Sequence, residues 1–313
     1  MRRWEGWTRS GRDATFFDWA GERPVAEFRG RVVRGPTAIH RIAAFQTLHL
    51  AAFDPVRAAI PTGDLRPVRW FDGRAVVFVS AMRHQDVTAS YDGGEPYIAP
   101  PYGEVSVGVI VSRRPAPRGL PVFGRSVRGF VLHMPVTTAI AAESGRLLLG
   151  YPKFVSDMDF VDEPARRSVT VSESGREILT VRVMPSGRVT TNRAPVIMYS
   201  VLDGQLLEST VRFFGHRQTM MGSASGHLAF GDHPVGDELR GLRIDTSPIM
   251  AASYLDARML FGAGIPVGTG HPYRGYVGQE PERGRYTVAY PDTPPLNQYT
   301  VPLDMQSSVH GPV

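Results

Sequence analysis

Turn dipeptides cut this chain into short β-branched runs, and that pattern limits it to a strand-rich fold. Residues 68–71 and 74–79 flank Asp72-Gly73, a pair favoured in two-residue hairpin loops because both central positions need positive φ. Residues 168–172 and 178–183 flank a Gly175 turn, and residues 194–202 and 206–213 flank Asp203-Gly204. Residues 104–111 and 128–133 read as further strands. Helical signals are few. Residues 54–59 predict a short capped helix ended by Pro61, and residues 136–144 a helix stopped by Gly145. The best helical stretch is 248–260, where Met250, Tyr254, Ala257 and Leu260 fall near helical spacing. The expected fold class is α+β and β-dominated: a closed or half-closed antiparallel β-barrel, which hides its edges, with a few flanking helices.

Three segments are expected. Residues 1–35 form an N-terminal extension whose aromatics (Trp4, Trp7, Phe16, Phe17, Trp19) suit packing onto a surface better than a free tail. Residues 36–265 form the main domain. Residues 266–313 form a Gly/Pro-rich extension, with Pro291, Pro294 and Pro295 close together and little sign of independent structure.

Composition narrows the function classes. With 313 residues, 42% hydrophobic and 21% charged, the chain reads as a soluble globular protein. It has no cysteine, which excludes disulfides, thiolate metal sites and Cys nucleophiles. Met1-Arg2-Arg3 continues as Trp4-Glu5-Gly6 without an apolar core, so no signal peptide is expected and the cytoplasm is the expected location. No apolar run approaches a membrane span, so no membrane partner is expected. The net charge is +5, but the arginines come singly or in pairs such as Arg113-Arg114, so a solvated basic surface is expected and no nucleic acid partner.

Of the thirty-five Lys and Arg residues, only Lys153 is lysine. Arginine performs most of lysine's surface work, but only lysine can lose its proton and act as a nucleophilic amine. Lys153 sits in Gly145-Arg146-Leu147-Leu148-Leu149-Gly150-Tyr151-Pro152-Lys153-Phe154, where apolar and aromatic neighbours favour a neutral amine by desolvation. The alternative is a surface lysine that survived by chance in an Arg-rich composition.

Gly145-Arg146 followed by Gly150-Tyr151-Pro152-Lys153 resembles the acetoacetate decarboxylase superfamily, in which a Gly-Arg-Glu segment leads to Tyr-Pro-Lys-Lys. The resemblance implies that Lys153 is the Schiff-base nucleophile and that Arg146 matches the family's arginine. Glu104, opening a strand upstream, matches the family's glutamate, and the segment 226–234 matches its strand and His-Pro segment. The family's second lysine is Phe154 here, and the acid after Gly-Arg is Leu147. The family's N-terminal arginine has no clear counterpart, although Arg41 is near. Without the adjacent cation, desolvation by Tyr151, Phe154 and Leu147 to Leu149 must favour the free amine. The pocket is then more apolar than a small keto acid such as acetoacetate requires.

The resemblance implies a lyase acting on a β-keto acid or related keto substrate through a lysine iminium. Decarboxylation is one outcome; a related aldol, dehydration or cyclisation step in secondary metabolism is another. Glu104 is the candidate for proton transfer or for orienting water, since a carboxylate near an apolar site can have a raised pKa; the alternative is an exposed strand-end glutamate. Arg146 is the candidate to bind a substrate carboxylate or Glu104, or to serve as a structural ion pair. Tyr151, Phe154, Met134 and Tyr254 are the candidate substrate-binding residues, Tyr254 from the helix expected over 248–260. No cofactor and no metal is expected: His227 and His233 lack ligand spacing, and Gly268-Thr269-Gly270 lacks a dinucleotide context. The expected partners are a small-molecule keto substrate and further copies of the chain in a homo-oligomer. The rival reading is a non-catalytic ligand-binding or accessory protein that retains the barrel.

Overall fold

The computed structural model describes residues 16–17, 25–28, 31–91, 97–119, 126–272, 274–276 and 278. Trp4, Trp7, Trp19 and the prolines at 291, 294 and 295 lie outside the described residues. In chain order the elements are β1 (Val25–Phe28), β2 (Arg31–Ala51), α1 (Phe53–Ala59), β3 (Arg66–Pro67), β4 (Ala75–Tyr91), β5 (Tyr97–Ala99), β6 (Tyr102–Ser112) and β7 (Val127–Val136). Then come α2 (Ala139–Leu149), β8 (Lys153–Val155), β9 (Asp157–Glu163), β10 (Arg166–Glu173), β11 (Arg176–Val183) and β12 (Val189–Asn192). Last are β13 (Val196–Leu202), β14 (Gln205–Met221), β15 (Gly226–Phe230), α3 (Pro234–Gly241) and β16 (Met250–Thr269).

Seven strands close a barrel in the order β2-β16-β14-β13-β7-β6-β4, with β4 pairing back to β2. Closure leaves no open edge around the ring. Neighbours are antiparallel except β13 and β7, whose pairing is parallel, so the expected antiparallel barrel has one parallel seam. A second sheet, β15-β11-β10-β9, covers part of the outside. Strand alternation divides the two faces. Val77, Val79, Ala81, Val105 and Val107 point outward into one core cluster with Val169, Val171 and Val181 of the second sheet. Phe78, Ser80, Met82, Glu104 and Ser106 point into the barrel. Burial on both faces explains why the run at residues 75–79 is apolar without a break.

Two expected hairpins have the geometry their turn residues demand. Ser174 and Gly175 take φ of 50° and 77° between β10 and β11, and Asp203 and Gly204 take 48° and 77° between β13 and β14. The Asp72-Gly73 turn is present, but its first arm meets β4 only in the single bridge Arg69 to Ala75. Phe16 and Phe17, from the aromatic N-terminal stretch, pack edge-on to each other, with Phe17 against His40 and Phe16 near Phe214.

Two helix expectations are corrected and one holds. Residues 248–260 are not helical: they enter β16, which continues past residue 265 to Thr269. A bulge between Tyr254 and Ala257 adds an extra residue, so Met250, Ala252 and Tyr254 face inward, and so do Met259 and Phe261 beyond it. That one odd step turns a period of two into an imitation of helical spacing. The helix expected over 136–144 is α2, which starts three residues later and passes through Gly145 to stop at Gly150, where φ is 64°. A Cβ at Gly150 would lie 2.7 Å from the Val201 carbonyl oxygen, so both conformation and space select glycine there. The helix expected over 54–59 is α1. No helix among the described residues is long and apolar enough to cross a membrane.

Candidate active site

The barrel encloses a cavity of about 370 Å³. Methionine and phenylalanine are the commonest residues of its wall, including Met82, Met134, Met198, Phe78, Phe213 and Phe261. Glu104 and Ser106 of β6, Tyr151, Arg217 of β14 and Tyr254 of β16 are among the residues that add polar atoms. Cavities of a few hundred Å³ with an apolar lining and a few convergent polar groups are the usual form of small-molecule sites.

Lys153 opens β8, which pairs in parallel with β7 at Met134. The strand starts there because α2 ends at Gly150 and Pro152 cannot continue a helix. Lys153 is 7% exposed, and its Nζ donates to Glu104 Oε2 at 2.7 Å. Its side chain runs back past α2: a Cβ on Gly145 would sit 2.5 Å from Lys153 Cδ and 2.6 Å from Cε. Glycine inside a helix costs about 1 kcal/mol against alanine, and the passage of Lys153 is the reason this helix carries one.

Glu104 is buried and faces the cavity, so it is not an exposed strand-end residue. Burial alone would raise its carboxyl. The Lys153 ammonium, followed by the His84 imidazole, overcomes this and holds it at about 2. The raised value expected from the apolar setting is therefore corrected by the partner charge. His84 Nε2 lies 3.7 Å from Glu104 Oε1, close enough for electrostatic influence but too far for a hydrogen bond. Its ring stacks at a tilt on Tyr102, 4.5 Å between centroids. Ser106 Oγ lies 3.5 Å from Glu104 Oε1.

The other expected residues divide. Tyr151, Met134 and Tyr254 line the cavity, Tyr254 from a strand rather than a helix. Burial pushes the Tyr151 phenol well up, so it stays protonated. Arg146 does not line the cavity; its Nε donates to the Lys153 carbonyl oxygen and fixes the main chain that carries the amine. Phe154 is corrected as a pocket residue. It follows Lys153 in a strand and so points to the opposite face, where it joins the main core and meets Tyr276 edge-on at 5.4 Å. Lys153 itself sits behind Glu104 rather than among the lining residues.

The His-Pro segment is a capping device. His233 precedes α3, its Nδ1 accepts from the Val235 amide at 3.2 Å, and Pro234 occupies the first helical turn. His233 Nε2 meets Glu173 Oε2 at 2.9 Å. Among the described residues no cluster of three or more His, Asp or Glu could hold a metal.

Sequence reasoning missed His84 and Arg217, and it read Gly145 as a helix stop rather than as clearance for Lys153. Alternation could have found His84, because it shares a strand face with Ser80 and Met82. Nothing local marks Arg217, which reaches the site only through barrel closure.

Comparison with known proteins shows the family and the fold. The acetoacetate decarboxylase family model matches residues 33–268. A search of curated protein sequences finds no match. Among solved structures, acetoacetate decarboxylase from Legionella pneumophila superposes with a TM-score of 0.55 at 14% identity, covering 80% of this chain and 91% of that one. The enduracididine biosynthesis enzyme MppR, complexed with the condensation product of pyruvate and imidazole 4-carboxaldehyde, gives 0.54 at 15%, covering 75% and 90%. An acetoacetate decarboxylase-like enzyme from Sphingomonas wittichii gives 0.51 at 13%, covering 75% and 94%. At these identities the structural likeness is one of fold, whereas the family match spans the whole barrel, β2 through β16. The chain belongs to the acetoacetate decarboxylase family.

Proposed function

We propose that this protein is a Schiff-base-forming lyase acting on a keto substrate, with Lys153 as the nucleophile. The observation that carries the reading is the position of the chain's one lysine: buried and 2.7 Å from Glu104, which itself faces the apolar cavity. A buried lysine and glutamate with no function would be costly to keep, since apolar residues of similar volume often stabilise as well or better.

Glu104, held as a carboxylate, is the nearest acceptor for the amine proton. The neutral Nζ attacks the substrate carbonyl carbon, and loss of water gives an iminium. That cation accepts the electron pair of an adjacent breaking bond. In decarboxylation the pair of the bond to the carboxylate becomes the enamine double bond and carbon dioxide leaves. Protonation of the enamine carbon and hydrolysis then release the ketone and restore the amine. Once the amine gives up its charge, the main influence holding Glu104 low is removed and burial raises its proton affinity. Glu104 is thereby suited to carry the proton between steps. Arg146 keeps the Lys153 main chain fixed during the exchange.

The apolar cavity suits a substrate larger than acetoacetate, in a biosynthetic tailoring step. MppR's complex with a pyruvate–aldehyde condensation product favours keeping aldol and dehydration outcomes beside decarboxylation. A second reading, a non-catalytic ligand-binding protein, draws on Lys153 lying behind Glu104. Borohydride reduction in the presence of a keto-acid panel, followed by intact mass measurement, separates the two: the lyase gives a stable adduct and the binding protein gives none.

A further inference from the structure

Arg217 is the cation of the cavity that the lysine chemistry does not use. Around the barrel, Cα partners run Arg217 to Tyr254, Tyr254 to Ala44, Ala44 to Met82 and Met82 to Glu104. Arg217 therefore stands four strands from Glu104 by this path and three by the other in a ring of seven, on the opposite wall. Its Nη1 donates to the Tyr254 hydroxyl at 3.3 Å, while its Nε is hidden from water with no hydrogen-bond partner. Among the described residues it has no carboxylate partner. Asp256 is engaged with the His216 ring at 2.8 Å. Tyr254 is itself held by Phe213, edge-on at 5.0 Å. Accepting from Arg217 leaves the Tyr254 O–H able to donate, so guanidinium and phenol together present donors to one point. Beyond them β14 leads to Met221, 61% exposed, at the cavity mouth.

A guanidinium needs acceptors. Leaving a buried N–H unpaired costs the fold unless a ligand supplies one. Arginine's planar fork matches a carboxylate. We infer that Arg217 and Tyr254 form an anion subsite that fixes the far end of the substrate. The substrate is an elongated oxo acid, with its reacting carbonyl at Lys153, an apolar chain along the methionine-lined wall and a carboxylate several bonds away at Arg217. The assignment of the reacting end rests on the Schiff-base reading. The subsite itself rests on the cavity geometry.

Calorimetric titration of octanoate and 1-octanol into the wild type, Arg217→Met and Arg217→Lys tests the subsite without any imine. The wild type should bind octanoate about tenfold or more tightly than octanol, the size of one charge-assisted contact. Arg217→Met should lose that preference while binding octanol unchanged, which also shows the cavity intact, and Arg217→Lys should retain part of it. Equal octanoate binding by wild type and Arg217→Met, or no octanoate preference in the wild type, overturns the subsite. Borohydride trapping of 7-oxooctanoate against its methyl ester then tests the orientation. The free acid should half-saturate at about tenfold lower concentration in the wild type only. Arg217-dependent octanoate binding with no trapped adduct would sink the Schiff-base reading and leave the subsite standing.

Discussion

A Cβ on Gly145 would lie 2.5 Å from Cδ of Lys153, so the helix before the lysine is notched where its side chain passes. Gly145→Ala therefore sets helix propensity, which gains about 1 kcal/mol, against the path of the amine. The neighbour is a flexible side chain, so the fold should survive and Lys153 should give way. We expect a melting temperature within a few degrees of wild type and a borohydride trapping rate at least tenfold lower. Wild-type trapping in the alanine variant would show that the notch does not position the amine.

Glu104 makes a pH prediction whose sign is fixed. Its folded value is about 2 against an ordinary 4.5. A depressed carboxyl contributes stability above its unfolded value and loses it as pH falls through the folded one. The contribution, on the order of 3 kcal/mol by linkage, should be complete above about pH 5 and gone near pH 2. Urea titrations of wild type and Glu104→Gln should show a stability difference that changes across that window. A difference that stays flat from pH 6 to pH 2 would contradict the paired carboxylate.

Removing one partner of the buried pair should cost more than removing both. Lys153→Met leaves Glu104 buried without its cation and is expected to destabilise by about 3–5 kcal/mol at pH 7. Lys153→Met with Glu104→Gln should recover much of that loss. If the double variant is as unstable as the sum of the singles, the two residues are not coupled.

The Asp203-Gly204 and Gly175 turns were readable because their positive φ is a local demand that few residues meet. The 248–260 segment misled because the bulge at Leu255 and Asp256 shifts the inward positions by one. Gly145 imitated a helix stop because local sequence does not show that a lysine eight residues later needs its space. Lys153 stood out by its uniqueness and Glu104 by matching the family's glutamate at a strand start, and the fold brings the two within 2.7 Å. Arg217 was not, since its relation to Glu104 exists only after seven strands close.

Phe154 was expected to keep water from the amine, but it points into the core on the other side of β8. Phe154→Ala should cost about 3–5 kcal/mol in stability, as a large-to-small core change does. The pH dependence of trapping per folded molecule should not move. A shifted profile in the folded variant would return Phe154 to the site.

The most direct test of the central claim is where a reduced adduct forms. Borohydride reduction with a panel of oxo acids, followed by intact mass and peptide mapping, has only Lys153 and the N-terminal amine as possible targets. A single adduct on Lys153 is expected. Lys153→Arg, which keeps charge but loses the amine, should form none and should have no turnover. An adduct confined to the N-terminus, or undiminished turnover in Lys153→Arg, would contradict the imine mechanism.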